Sequence, residues 1–109
     1  DFFVMPSHYE PCGLGQMIAM RYASIPVVMK TGGLADTVVD YNEDPVRGNG
    51  FVFTTYEPVS LLNAMHRAVA SWQDPEQRKA IIATMSKADF TWKHSALEYI
   101  RLYRKILNQ

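Results

Sequence analysis

The stretch EPCGLGQ, residues 10 to 16, sets one carboxylate (Glu10), the only cysteine (Cys12) and two glycines (Gly13, Gly15) within six positions, directly after the apolar run FFVMP. A second glycine-bearing stretch, KTGGLAD at 30 to 36, follows the apolar run IPVVM. Glycines in such turns let peptide N–H groups approach an anion with no Cβ in the way, so Gly13, Gly15, Gly32 and Gly33 are candidates to cradle a phosphate. A carboxylate would repel that phosphate, so Glu10 must serve another part of the ligand. Sugar hydroxyls suit it, because an ionised carboxylate accepts hydrogen bonds well. A loop that offers amides to a phosphate and an acid to a polyol describes a nucleotide-sugar site.

Each of these residues also has a plainer reading. Glu10 alone could be a solvated loop acid or a cap. Cys12 reads as a small packing residue rather than a nucleophile. Gly32 and Gly33 serve backbone geometry as readily as a ligand, and Asp36 could brace a short helix or touch the ligand. His8, His66 and His94 are scattered without metal-ligand spacing and read as surface or loop residues. A single cysteine excludes an internal disulfide and any cysteine-cluster metal site, and fits a reducing compartment.

The elements that must position these residues alternate. FFVMP, IPVVM and GFVFT (50 to 54) are short apolar runs bounded by Pro, Ser and Gly, as expected of strands covered on both faces. Between the first two, Leu14, Met17, Ile18 and Arg21 or Tyr22 fall at helical spacing, with Met17 and Met20 packing under the sheet; between the next two, LADTVVDY offers about two helical turns. That order implies right-handed crossovers and a parallel sheet with helices on both sides, with both glycine loops side by side at the carboxyl ends of the strands. NEDPVRGNG at 42 to 50 reads as a surface loop.

From Pro58 onward the pattern is helical. Leu62, Met65, Val69 and Trp72 form one apolar stripe. Asp74 and Pro75 restart a helix that buries Ile81, Ile82 and Met85. A last helix from about Lys93 carries Leu97, Ile100, Tyr103 and Leu107 on one face. Trp72, Trp92, Tyr99 and Tyr103 are expected in the core, or else at a contact outside this chain. Three strands with surplus helices make half of a doubly wound fold, and a first strand at position 1 leaves an apolar edge that invites self-association. The abrupt start at Asp1, with no initiator Met, reads as a piece cut from something longer.

The totals agree with one small domain. The 109 residues are 48% hydrophobic and 20% charged, the composition of an ordered globular chain. Eleven Lys plus Arg balance eleven Asp plus Glu, which gives no electrostatic footprint for nucleic acid or an anionic membrane. The longest apolar runs fall far below the roughly 18 residues that span a bilayer, and no signal-peptide pattern is present. The expectation is an intracellular protein.

Taken together, HYEPCGLGQ, KTGGLADTV, GNGFVF and the closing DFTWKHSALEYIRLY resemble the carboxyl-terminal part of glycogen and starch synthases, retaining glucosyltransferases of the two-domain GT-B type. The resemblance covers essentially the whole chain, which is then a partial Rossmann-like, nucleotide-sugar-binding domain. It implies that Glu10 is the catalytic acid that contacts the donor glucose. Cys12, Gly13 and Leu14 line the same loop, whose amides, with that of Gly15, face the donor diphosphate. Thr31, Gly32 and Gly33 lie beside the sugar and phosphates.

It further implies ADP-glucose or UDP-glucose as donor, the non-reducing end of an α-1,4-glucan as acceptor, no metal or cofactor, and a bacterial cytoplasmic or plastid-stromal location. The acceptor-binding domain and the Arg and Lys that grip the diphosphate lie upstream in the family, so the isolated chain is expected to be inactive. Departures exist. Gly15 stands where the family usually has Thr or Ser, and His8 where an Arg is common. Ile18 replaces the second acid of the E-x7-E relatives, which favours the synthase group. The rivals are a retaining transferase of sucrose or trehalose type and a non-catalytic nucleotide-binding or assembly module.

Overall fold

A computed structural model describes residues 1–108. In chain order its elements are β1 (Phe2–Met5), α1 (Gly15–Arg21), β2 (Ile25–Met29), α2 (Gly32–Thr37), β3 (Phe51–Phe53), α3 (Pro58–Gln73), α4 (Pro75–Lys87) and α5 (Trp92–Leu107). The strands form one parallel sheet in the order β1-β2-β3, with Phe2 to Met5 opposite Ile25 to Val28 and Val27 to Met29 opposite Phe51 to Phe53. Parallel pairing in this register brings the ends of all three strands to one rim. The turns carrying Glu10 and Thr31 leave from that rim, side by side, as the alternating pattern predicts.

Local chemistry explains most of the boundaries. Asp74 separates α3 from α4, and its Oδ1 accepts from the amides of Glu76 at 2.9 Å and Gln77 at 3.2 Å. Pro75 takes the first helical position, where its missing N–H costs nothing. Pro58 opens α3 in the same way after the extended Glu57. Buried Ile25, Val27, Val28, Phe51 and Phe53 supply the sheet's share of the core, and Met20, Leu34, Val38, Ala64, Ala68, Ile81 and Met85 the helices' share. Burial of each large side chain among these contributes about 1.5–3 kcal/mol.

Several expectations need correction. β1 is not covered on both faces: Phe3 and Val4 remain exposed, because β1 is an edge strand, whereas β2 is buried and β3 is buried at Phe51 and Phe53 with Val52 half-buried. In α1 the residues turned inward are Gln16, Ala19 and Met20, with Met17 partly buried, while Leu14 and Ile18 face outward. In α3 the sheet-facing residues are Ala64, Ala68 and Ser71, flanked by Leu61 and Trp72. The stripe of Leu62, Met65 and Val69 lies outside. Small residues let this helix approach β3 closely, so bulk was a poor guide to its inner face. No residue of α5 is buried, and Trp92, Tyr99 and Tyr103 are exposed rather than core. α2 begins two residues earlier than its apolar residues suggest and stops at Thr37.

The outer edge beside β3 is closed first by a parallel backbone bridge between Asp40 and Gly50, where the Tyr41 amide donates to the Gly50 carbonyl at 2.9 Å, and then at Val52 by side chains. Asp40 is buried and its Oδ2 accepts from the Val52 amide at 2.7 Å. Arg67 donates to the Val52 carbonyl at 2.7 Å and to both Asp40 oxygens at 2.8 Å. The carboxylate and the guanidinium thus satisfy both backbone groups of an edge residue, which blocks further strand addition there. No helix among the described residues is long and apolar enough to cross a membrane.

Candidate functional site

The two glycine turns touch. The Gly33 amide donates to the carbonyl oxygens of Glu10 and Pro11, both at 3.1 Å. A Cβ on Gly32 would lie 2.1 Å from the Glu10 carbonyl oxygen, and one on Gly33 2.0 Å from that of Cys12. Gly32 also sits at φ +42. Both glycines are therefore required by the close approach of one backbone to another, and the Gly33 amide is already engaged within the protein. Thr31 is extended and opens α2 with no side-chain cap.

In the first turn, Gly13 is buried at φ +69 and Leu14 follows in the right-handed region at φ −111, ψ −27. Such a change of handedness makes successive N–H groups converge into a concavity suited to an anion. The N–H groups of Gly13, Leu14 and Gly15 donate to no described residue. A Cβ on Gly15 would lie 2.9 Å from Cζ of Phe3, so the glycine is matched to an aromatic ring on the neighbouring strand. That ring is the far end of a flexible side chain on an edge strand, so it disfavours a larger residue at position 15 without forbidding one.

Glu10 is half-buried beside this turn. Its Oε2 accepts from the Ser7 hydroxyl at 3.4 Å, and no Lys, Arg or His among the described residues pairs with it. The carboxylate is thus held near the amide concavity but left uncommitted. Cys12 is a free, exposed thiol, not the packing residue expected, since its backbone rather than its side chain faces the Gly33 turn. Asp36 is exposed. His8, His66 and His94 are exposed as expected, and His8 stands edge-on to Tyr56 with ring centres 4.5 Å apart. The described residues contain no group of three or more His, Cys, Asp or Glu placed to hold a metal ion.

Residues 1–87 match the sequence model for glycosyl transferases group 1. The chain belongs to the group 1 glycosyl transferases. Among curated relatives of this transferase chain, it is 53% identical over 105 residues to a glycogen synthase of Syntrophotalea carbinolica, covering 96% of this chain and 22% of that protein. It is 50% identical over 110 aligned positions to a glycogen synthase of Thermosipho africanus, covering 100% of this chain and 23% of that protein. The transferase chain therefore spans less than a quarter of the length of these relatives.

Among solved structures, the catalytic domain of starch synthase IV from Arabidopsis thaliana, bound to ADP and acarbose, matches all of the transferase chain with a TM-score of 0.84 at 41% identity, over 23% of that domain. A sucrose-phosphate synthase from Thermosynechococcus elongatus matches 96% of it with a TM-score of 0.66 at 30% identity, over 25% of that chain. The three-stranded parallel sheet flanked by helices is the partial doubly wound fold that the sequence pattern implies, and it matches part of a GT-B domain as the resemblance implies. Glycogen and starch synthases are thus the proteins this transferase chain resembles, as the motifs in its two glycine turns suggest.

The residues that the sequence motifs point to are brought together, with Glu10, Cys12, Gly13, Leu14 and Gly15 in one turn and Thr31, Gly32 and Gly33 in the turn that contacts it. Two side chains of the same region, Gln16 and Thr37, escape sequence reasoning. Gln16 is completely buried and donates to the carbonyl oxygens of Cys12 at 3.2 Å and Gly13 at 3.1 Å, and to Oγ1 of Thr37 at 3.0 Å. The only signal in the sequence is a polar residue where the helix turns toward the sheet.

Proposed function

We propose that this chain, within a longer polypeptide, forms part of the donor site of a retaining glucosyltransferase of the glycogen or starch synthase type. The observation that supports this most is the contact between the two rim turns, which sets three unengaged amides, those of Gly13, Leu14 and Gly15, beside the unpaired carboxylate of Glu10. On this reading the amides hold the donor diphosphate. Glu10 accepts from glucose hydroxyls and stabilises positive charge as it develops at the anomeric carbon. Cys12, Thr31, Gly32 and Gly33 shape the same wall. Gly32 and Gly33 do so by permitting the contact between turns.

Retention follows if the acceptor hydroxyl attacks the face that the diphosphate leaves, which needs little help from a protein base. ADP-glucose is the favoured donor, since the starch synthase that this chain resembles holds ADP, and UDP-glucose is the alternative. The acceptor is the non-reducing end of an α-1,4-glucan, delivered by an amino-terminal domain outside these 109 residues. The cations that would stabilise the leaving diphosphate lie outside it too, and such partners contribute several kcal/mol, so the isolated chain does not elongate glucan. Its setting is the bacterial cytoplasm or the plastid stroma.

Titration of ADP and UDP against the full-length protein and its Glu10→Ala form tests the assignment. The reading expects nucleotide affinity to survive while turnover is lost. Equal loss of both would move Glu10 from the sugar to the nucleotide, and binding of neither nucleotide would defeat the donor-site reading.

A further inference from the structure

Gln16 is polar, completely buried and without a role in the donor-site reading. Its Nε2 gathers the Cys12 and Gly13 carbonyls and Oγ1 of Thr37, and that hydroxyl donates in turn to the Gly33 carbonyl at 2.8 Å. One amide therefore ties the turn after β1 to α2, whose first turn carries Gly33 and whose last residue is Thr37. Its Oε1 is buried with no partner among the described residues, a cost that Leu or Met at this place would avoid. The three acceptors around Nε2 fix the orientation of the amide group, because Oε1 in that position would face two carbonyl oxygens.

Peptide geometry gives this knot a consequence at the rim. In a trans peptide the carbonyl and the following N–H point in opposite directions. Drawing the carbonyls of Cys12 and Gly13 toward Nε2 therefore turns the N–H groups of Gly13 and Leu14 to the other side of the turn. Those two amides, with that of Gly15, are the unengaged ones, and the left-handed Gly13 followed by the right-handed Leu14 makes them converge. We propose that Gln16 is a positioning residue for the donor diphosphate: its buried amide aims the Gly13 and Leu14 N–H groups at the phosphate by holding the carbonyls that precede them. The inference rests on the donor-site reading above and adds to it the side chain that sets the geometry of the turn.

The test uses the full-length protein with Gln16→Met, which keeps the side-chain length and removes the donors, and with Thr37→Val, which removes one acceptor. ADP binding is measured by calorimetry, and Michaelis constants are measured for nucleotide-sugar and glucan. Gln16→Met is expected to raise the Kd for ADP and the KM for the nucleotide-sugar by about tenfold, and Thr37→Val by about threefold. Binding stoichiometry and the KM for glucan stay constant. A residue that only filled space would lower the folded fraction, and hence the stoichiometry, with the Kd unchanged.

A folded Gln16→Met protein with unchanged ADP affinity overturns the inference. Should Gln16→Met fail to fold, the Kd of Thr37→Val decides in the same way. Should the unsubstituted protein bind neither ADP nor UDP, the donor-site reading fails by itself. A crystal structure of Gln16→Met, or of Thr37→Val if that alone folds, then judges the positioning role separately. Rotated peptide planes at Cys12 and Gly13 support it, and unmoved planes refute it.

Discussion

Replacing Gly33 by Ala should separate the two rim turns. The new Cβ would lie 2.0, 2.5 and 2.6 Å from O, C and Cα of Cys12, which are all backbone atoms and cannot swing aside. Restoring an ordinary separation of about 3.5 Å requires the turns to part by about 1.5 Å. That movement breaks the shared hydrogen bond from the Gly33 amide to Glu10 and Pro11, now 3.1 Å long in each branch. Overpacking costs about 1–3 kcal/mol and the lost hydrogen bond about 1 kcal/mol, together about 2–4 kcal/mol. Against a typical total of about 5–15 kcal/mol this is a large fraction.

Gly15→Ala is the matched control. Its Cβ would meet the Phe3 ring at 2.9 Å, but that ring lies on an edge strand and can rotate, so the cost should stay near 1 kcal/mol. Urea unfolding of the full-length protein, read at the transition that includes this domain, measures both. Gly33→Ala should also weaken ADP binding by about tenfold or more, because the amides and Glu10 lose their relative placement. If Gly33→Ala proves as stable as Gly15→Ala and binds ADP as the parent does, the turns do not depend on each other and the reasoning fails.

Other expectations concern separate parts of the molecule. Arg67→Met removes the partner of buried Asp40 and the cap on the Val52 carbonyl; with Arg67 itself about a third exposed, the loss should be near 3 kcal/mol by chemical denaturation, the low end for a broken buried pair. Asp44 is held below the usual aspartate range, first by the Arg47 side chain and then by the Arg47 amide. A lowered folded pKa contributes stability that is present above the unfolded value and lost as pH falls through the folded one, so Arg47→Ala should raise the Asp44 midpoint in an NMR titration. Cys12 is exposed beside the candidate phosphate cradle, so alkylation of its peptide, followed by mass spectrometry, should proceed freely in the apo protein and slow when ADP is present. The purified 109-residue chain should show no glucan elongation from labelled ADP-glucose; detectable elongation would overturn the need for cations outside it.

The sheet and the meeting of the two glycine turns were legible because alternation of short apolar runs with helical spacing admits few topologies. The Asp74 cap was legible for a similar local reason. What periodicity could not reveal was which side of a helix lies against the sheet. In α3 close approach selected Ala64, Ala68 and Ser71 over the bulkier Leu62, Met65 and Val69. In α1 the start of the helix is fixed by hydrogen bonds of Gln16, so a polar residue occupies the inner face and Ile18 is displaced outward. Gln16–Thr37 and Asp40–Arg67 are pairings across 21 and 27 positions, set by tertiary packing and invisible to any local window. The double meaning of Gly32 and Gly33 was resolved only by the distance of their missing Cβ atoms from the neighbouring backbone.

The central claim is that one turn presents amides to a diphosphate while its acid serves the sugar. A crystal structure of the full-length protein with ADP-glucose, or with ADP and a glucose analogue, tests this most directly. Phosphate oxygens should lie within hydrogen-bonding distance of the Gly13, Leu14 and Gly15 amides, with the Glu10 carboxylate on the hexose. A diphosphate bound away from this turn, or a Glu10 carboxylate facing no part of the sugar, would contradict the account.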